Sequence, residues 1–104
     1  MSLVVSLPTH LWRLAGLPGP TLNLEVEEAT LGGVLDALEE RHPELRGTIR
    51  DHPGPDGSPG ALRPFIRFFA LDSDLTPEGL AVALPDQVTE GREKLRIIGA
   101  IAGG

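Results

Sequence analysis

The sequence predicts an α+β fold in which one mixed sheet of four to five strands is packed on one main helix. Short segments with alternating apolar and polar residues occur in both halves of the chain, and one amphipathic segment lies between them. The chain has 104 residues, of which 40% are hydrophobic and 23% charged. This size and composition predict a single domain that spans residues 1–104.

Two strands are expected before the helix. Residues 3–7 alternate between large apolar side chains and smaller or polar ones until Pro8 ends the run. Residues 11–16 fit a short turn of helix. Residues 22–26 alternate leucine and valine with asparagine and glutamate, which is the pattern of a half-buried strand. We expect the two strands to pair as a hairpin.

The main helix is predicted to begin after Thr30, a good N-cap residue, and to end near His42, because Pro43 disfavours helical geometry in the residue before it. Gly32 and Gly33 weaken its first turn by roughly 1 kcal/mol each relative to Ala. Close packing against this turn is one explanation for their presence. The apolar face of this helix carries Leu31, Val34, Leu35 and Leu38.

Three further strands are predicted in the second half. Residues 65–71 are apolar except at Arg67, as expected of an interior strand covered by the helix. A short strand is expected around residues 80–84, and residues 94–98 alternate as a final strand. The predicted core consists of Leu22, Leu24, Leu31, Val34, Leu35, Leu38, Ile66, Phe68, Leu95 and Ile97.

Two segments are expected to be mobile. Residues 51–60 contain three prolines, three glycines and no aliphatic side chain, which predicts a mobile loop over about 51–62. The last residues, 99–104, lack bulky polar side chains and predict a flexible tail.

Charge and composition argue against several classes of function. The net charge is −6 and the basic residues are not clustered, so we expect no nucleic-acid binding. The chain contains no cysteine, which fits a reducing compartment. No apolar run is long enough to span a bilayer and no secretory signal is evident, so a cytoplasmic protein without membrane contact is expected.

The polar residues form no evident catalytic or metal site. Asp51, His52 and Asp56 could only hold a metal if the loop that carries them were ordered, so no metal is expected. The other two histidines, His10 and His42, have no second ligand type at metal spacing. We interpret the glutamates as a solvated surface and predict no enzyme activity; they are Glu25, Glu27, Glu28, Glu39 and Glu40.

The remaining candidate is the C-terminal end. Gly103 and Gly104 have no side chains, so a tail that ends in them can enter a narrow channel and place a carboxylate against the α-phosphate of a nucleotide. A frayed terminus without a function is the alternative interpretation.

Several segments together resemble the MoaD/ThiS family of sulfur carriers, which have the ubiquitin-like β-grasp fold. They are the Leu14, Ala15, Gly16 turn; Thr30, Leu31 and Gly32 at the helix start; Glu90 and Gly91; and the terminal Ala100, Ile101, Ala102, Gly103, Gly104. Ser6–Leu7–Pro8–Thr9 and Ser58–Pro59–Gly60 look most like the carriers that supply sulfur for cysteine biosynthesis in actinobacteria. Family members usually have an asparagine-containing hairpin at residues 71–74 and a proline at Gly99.

The resemblance implies a mechanism and a set of partners. A ubiquitin-activating-type adenylating enzyme would use ATP to adenylate the Gly104 carboxylate, and a persulfide or sulfide donor would convert it to a thiocarboxylate. A sulfur-acceptor enzyme would then take the sulfur for cysteine, molybdopterin, thiazole or tRNA thiolation. Gly104 is thus the implied reaction site, and Gly103, Ala102 and Ile101 the tail that partners recognise. No cofactor would be bound by the chain itself.

Two other functions stay open at this point. In a ubiquitin-like protein modifier, a lysine amine attacks the same activated terminus, and this needs the same two glycines. In a ubiquitin-like binding module the tail is passive. The sequence predicts neither the acceptor pathway nor the oligomeric state.

Overall fold

The computed structural model describes residues 1–58 and 60–99. Within them, five strands form one mixed sheet, which confirms the predicted α+β fold. The strands are β1 (Ser2–Ser6), β2 (Thr21–Glu25), β3 (Ile66–Ala70), β4 (Ser73–Asp74) and β5 (Leu95–Gly99). Their order in the sheet is β2-β1-β5-β3-β4.

The three helices are α1 (Thr9–Leu14), α2 (Leu31–Arg41) and α3 (Asp86–Thr89), with 3-10 turns at Pro43–Leu45 and Thr76–Glu78. The helical turn predicted over residues 11–16 corresponds to α1. The sequence analysis missed α3, which buries Val88.

β1 and β2 form the expected antiparallel hairpin, with Leu3 opposite Leu24 and Val5 opposite Leu22. Leu3, Val5 and Leu24 are buried, so the alternating residues do face the core. Leu22 is only partly buried, unlike the other nine residues of the predicted core, which include Leu24 of the same strand.

The centre of the sheet is a parallel pair. Val5 of β1 lies beside Leu95 of β5, and β5 pairs on its other side with antiparallel β3, where Ile66 lies opposite Gly99. Leu95, Ile97 and Phe68 from these strands are buried against α2. The last strand in the chain is therefore flanked by a strand on each side.

α2 begins and ends where the sequence predicts. The Thr30 hydroxyl accepts a hydrogen bond of 3.0 Å from the Gly33 N–H, which caps the first turn, and His42 is the C-cap residue. A Cβ added at Gly33 would lie 2.2 Å from the Glu28 carbonyl oxygen, so only glycine allows this approach. Close packing therefore explains Gly33.

The strand predicted at residues 80–84 does not form. The carbonyl oxygens of Leu80 and Val82 instead accept hydrogen bonds from the Gly32 and Leu31 N–H groups at 2.8 and 3.1 Å. The first N–H groups of a helix have no partner within the helix, so a neighbouring segment that satisfies them is stabilising. This segment completes the start of α2 and contributes only an isolated bridge, between Ala83 and Thr30, to strand pairing.

The short fourth strand comes earlier in the chain than predicted. Leu71 and Asp72 both have positive φ, 51° and 65°, and connect β3 to β4 as a two-residue hairpin with Phe69 opposite Asp74. Leu71 therefore lies in the turn and is exposed, although the apolar pattern assigned it to the buried strand. Gly99, which the sequence analysis assigned to the tail, is the last residue of β5.

The loop predicted over about 51–62 has a hydrogen-bonded base. The Asp51 N–H donates to the Ala61 carbonyl oxygen at 2.8 Å and the Arg63 N–H to that of Ile49 at 2.9 Å. A Cβ added at Gly60 would lie 1.7 Å from the Asp51 carbonyl oxygen, so the two sides meet closely. The mobility of the segment beyond this base stays a prediction.

An ion cluster attaches the start of this loop to α2. The guanidinium of Arg50 donates to both carboxylate oxygens of Glu39, at 3.0 and 3.1 Å, and to Asp36 at 2.6 Å. Burial lowers the pKa of Arg50, but the hydrogen bonds to Glu39 and Asp36 outweigh it and raise that pKa overall. The guanidinium therefore stays charged where it is held.

Replacing Leu35 with Ala should lower the free energy of unfolding by about 2–5 kcal/mol, because the fully buried side chain would leave a cavity. The denaturation midpoint in urea measures this. Leu14→Ala is the matched control, since Leu14 is 50% exposed and its variant should unfold close to wild type. Equal midpoints for the two variants would contradict the assignment of the buried face.

Replacing Gly33 with Ala should destabilise the protein by about 1–3 kcal/mol, although alanine favours a helix, because its Cβ would collide with the Glu28 carbonyl. Gly32→Ala is the control: its Cβ would approach the Leu80 carbonyl oxygen only to 3.2 Å. We expect it to stay within about 1 kcal/mol of wild type. If both variants gained stability in urea denaturation, helix propensity alone would govern this turn.

Candidate functional site

The candidate site begins where the chain leaves the sheet at Gly99. A Cβ added there would lie 3.1 Å from His10 Cε1, 3.3 Å from Ile66 Cδ1 and 3.6 Å from Pro8 Cγ. Pro8 and His10 belong to the start of α1, and Ile66 belongs to β3. These two elements crowd the end of β5, and glycine relieves the crowding there.

Two large apolar side chains are exposed beside this exit. Phe65, directly before the partner of Gly99, is 66% exposed, and Ile98, directly before Gly99, is 42% exposed. Phe65 has φ +72° in a turn that the Ile66 N–H closes by a 3.3 Å hydrogen bond to the Arg63 carbonyl oxygen. Pro64 and Phe65 occupy the two central positions, as in a type II turn, where glycine is usual at the second.

The sequence analysis assigned Phe65 to the buried strand, and this is wrong. A run of apolar residues does not show where a strand begins. Pro64 was the available signal, because proline at the second position of a turn predicts that the following residue lies outside the strand.

The face of the sheet opposite α2 carries charges around these apolar groups. The Arg96 guanidinium lies 5.8 Å from the centre of the Phe69 ring, and Arg67 lies 3.7 Å from the Asp74 carboxylate. Hydrogen bonds from the Thr76 hydroxyl and backbone N–H lower the pKa of Asp74, so this carboxylate is ionised at neutral pH. Arg96 also lies 3.9 Å from the Asp72 carboxylate, so the face combines apolar groups with paired charges.

The predicted site residues themselves, Ile101, Ala102, Gly103 and Gly104, lie outside the described residues. Their roles therefore stay predictions. The structure describes the surface from which they extend.

No group of three potential metal ligands occurs within residues 1–58 and 60–99. Asp56 accepts hydrogen bonds from the Ser58 hydroxyl and N–H, at 2.7 and 3.0 Å, which lower its pKa. His10 and His52 are exposed as expected, but His42 is half-buried and its Nε2 has no hydrogen-bond partner in the described part of the chain. These contacts explain Asp56 without a metal.

The interpretation of the glutamates as a solvated surface holds for four of them. Glu25, Glu27, Glu28 and Glu40 are exposed. Glu39 is not, because its side chain is only 14% exposed and pairs with Arg50. In the described ranges, no helix is both long and apolar enough to cross a membrane.

A mixed five-stranded sheet with a central parallel pair formed by its first and last strands, and one helix packed across one face, defines a ubiquitin-like β-grasp protein. No protein-family model and no curated protein sequence matches the chain. Several solved structures do match the chain.

The chain is similar to SAMP1 from Haloferax volcanii, with 27% identity, a TM-score of 0.69 and full coverage of both chains. It is similar to CysO from Mycobacterium tuberculosis, with 27% identity and a TM-score of 0.68 over 94% of this chain and 98% of that one. A chain of the BexX/CysO complex from Amycolatopsis orientalis matches with 26% identity and a TM-score of 0.69, over 97% and 98%.

These neighbours are ubiquitin-like sulfur carriers of the MoaD/ThiS type, small carrier proteins rather than catalysts. The resemblance inferred from the sequence is thereby confirmed: the chain is similar to ubiquitin-like carriers and modifiers of this family.

Proposed function

We propose that the chain is a sulfur carrier whose Gly104 carboxylate is adenylated by a partner enzyme and then converted to a thiocarboxylate. The observation that carries this proposal is the position of Gly99: the last strand ends beside β3 and α1 with five residues beyond it, the final two of them glycines. A tail that leaves the domain at one point can be inserted into another protein while the fold stays intact.

Two chemical steps follow, with a third if the sulfur donor is a persulfide. The Gly104 carboxylate attacks the α-phosphate of ATP, which forms an acyl-adenylate and releases pyrophosphate. Sulfide then forms a C–S bond at the acyl carbon and expels AMP, which leaves a thiocarboxylate. A protein persulfide can replace sulfide, in which case a thiol must reduce the acyl disulfide that forms. The chain supplies the carboxylate and the recognition surface, and the adenylating enzyme binds the ATP.

The likeness to the BexX/CysO complex supports a partner that binds the carrier, because in that crystal structure CysO is in complex with a second protein. The likeness to CysO favours cysteine biosynthesis as the acceptor pathway over molybdopterin, thiazole or tRNA thiolation. All of these steps take place in the cytoplasm under this proposal.

Protein modification is the second candidate, favoured by the likeness to SAMP1, whose name is small archaeal modifier protein 1. A lysine amine would attack the same acyl-adenylate and form an isopeptide bond with release of AMP. Lys94 is the only lysine of this chain, so a Lys94→Arg variant leaves no lysine in the chain itself to accept its own terminus.

Incubation with a cognate adenylating enzyme, ATP, magnesium and sulfide should exchange one carboxylate oxygen of the chain for sulfur. Intact mass spectrometry measures the exchange, and fragmentation should locate it at Gly104. Deletion of Gly104 should abolish the exchange, because the carboxylate no longer reaches the nucleotide. Replacement of Gly103 by Trp should do so because a bulky side chain does not fit a narrow channel.

Circular dichroism is the control, since both variants should keep the wild-type spectrum and unfolding midpoint. Sulfur exchange in the Gly104 deletion at the wild-type rate would refute the carrier function. If the Lys94→Arg protein acquired no sulfur but formed conjugates with other proteins in an extract, the modifier function would replace it.

We assign the exposed side chains of Phe65 and Ile98 to the contact with the adenylating enzyme, because they flank the point where the tail begins. Phe65→Ala should raise the KM of that enzyme for the carrier about tenfold with kcat unchanged, as expected for loss of an aromatic anchor. Steady-state adenylation kinetics measure both constants.

Leu71→Ala is the matched control. Leu71 is also exposed and also has positive φ, but it lies at the other end of β3. Its KM should stay at the wild-type value. Equal KM values for the two variants would show that this surface is not used, whereas no adenylation of the wild type would refute the carrier function itself.

A further inference from the structure

The open edge of β2 is a second surface that the carrier function does not use. β2 is the outermost strand of the sheet on its side. Just outside β2, Val26 exchanges hydrogen bonds with Met1, and the Leu7 N–H donates to the Pro20 carbonyl oxygen. Because hydrogen-bonded pairs alternate along an antiparallel ladder, the even-numbered residues of β2 are the ones that bond to β1. The backbone groups of Thr21, Asn23 and Glu25 therefore point outward.

These outward groups are the polar positions to which another strand can bind. One of them is occupied: the Arg41 guanidinium donates to the Asn23 carbonyl oxygen at 2.9 Å. The N–H groups of Thr21, Asn23 and Glu25 donate to no side chain within residues 1–58 and 60–99. They point away from β1, so they form no hydrogen bond with that strand either. The edge thus offers three donors.

A groove of about 690 Å³ lies between this edge and α2. Its apolar lining comes from Met1, Leu24, Val26, Gly33 and Ala37. The small side chain of Ala37 leaves room in the groove for the side chains of an added strand. Groove and edge together have the shape that an extended peptide needs.

The charges around the groove determine which peptide fits. Glu27, Glu28 and Glu40 line it, are exposed and form no ion pair with another residue of the described ranges. Of the other two acidic lining residues, Asp36 pairs with Arg50 and Glu25 with the Met1 ammonium. Arg41 also lines the groove and carries one positive charge, but these three carboxylates outnumber it, so the groove attracts a basic segment.

The same charges disfavour a second copy of the chain as occupant. Pairing of two β2 edges would bring together two chains that each carry a net charge of −6. We therefore propose that β2 and the groove bind an extended, basic segment of a partner protein, which adds to the sheet as a sixth strand beside β2.

The probe for this proposal is an acetylated and amidated nonapeptide of alternating lysine and valine with serine at both ends. Titrated into the ¹⁵N-labelled wild-type protein, it should shift the amide signals of Thr21, Asn23 and Glu25 in a saturable way. The same peptide with glutamate in place of lysine should not bind. Added salt should weaken the binding, as expected for attraction by the carboxylates.

Asn23→Pro removes one outward N–H without removing a bond to β1, and proline is tolerated on an edge strand. It should weaken binding by about threefold or more, the loss of one hydrogen bond. Asn23→Ala, which keeps the N–H, should bind within about twofold of wild type. Circular dichroism checks that both variants fold. If Asn23→Pro does not fold, the amide shifts of the wild-type protein still test the site.

Replacing Glu28 and Glu40 together with Gln should weaken binding by about tenfold, whereas replacing Glu44 and Glu78, which are exposed but do not line the groove, should not. Three results would overturn the proposal: no saturable binding at millimolar peptide, amide shifts centred on another surface, or equal affinity of the two glutamine pairs. Unchanged affinity of a folded Asn23→Pro variant would do the same, since attraction without strand addition would then explain the binding.

Discussion

The parallel pairing of β1 with β5 is the constraint on which the rest of the structure depends. Parallel strands cannot be joined by a tight turn, so the chain between them must cross over one face of the sheet. Here that crossover contains α2, whose apolar side chains fill the core between helix and sheet. The opposite face stays open to solvent. β5, which ends at Gly99, is an inner strand with β1 on one side and β3 on the other.

Local patterns predicted the parts of this arrangement that depend on local physics. The alternation in β1 and β2, the cap at Thr30 and the stop before Pro43 are properties of a few neighbouring residues, and all three appear where they were expected. The prediction of a strand at residues 80–84 was wrong for the opposite reason. Their apolar pattern suits a strand, but their carbonyl oxygens accept hydrogen bonds from the first N–H groups of α2, which have no partner within the helix. Only the tertiary fold shows this contact.

The candidate site was predictable to a different extent in its two parts. The diglycine tail follows from the sequence and the family resemblance, since its proposed chemistry needs a carboxylate and small residues but no precise geometry. The surface around the tail could not be predicted in this way. Phe65 and Leu71 lie at the two ends of one apolar run and share a face with Arg67 rather than with the buried Phe68. One polar residue in an apolar run did not show that this face is exposed. The positive φ values and exposure of Phe65 and Leu71 result from turns that the pairing of β3 imposes.

The two proposed binding surfaces lie at opposite ends of the sheet. β5 runs parallel to β1 and ends at Gly99, whereas β2 runs antiparallel and leads to the acidic residues at its far end. A five-residue strand such as β1 spans roughly 17 Å, about twice the Debye length of roughly 8 Å at physiological salt. The carboxylates of the groove therefore have little electrostatic effect on the tail. Under the two proposals, a protein that adds a strand to β2 could hold the chain while another protein acts on its terminus.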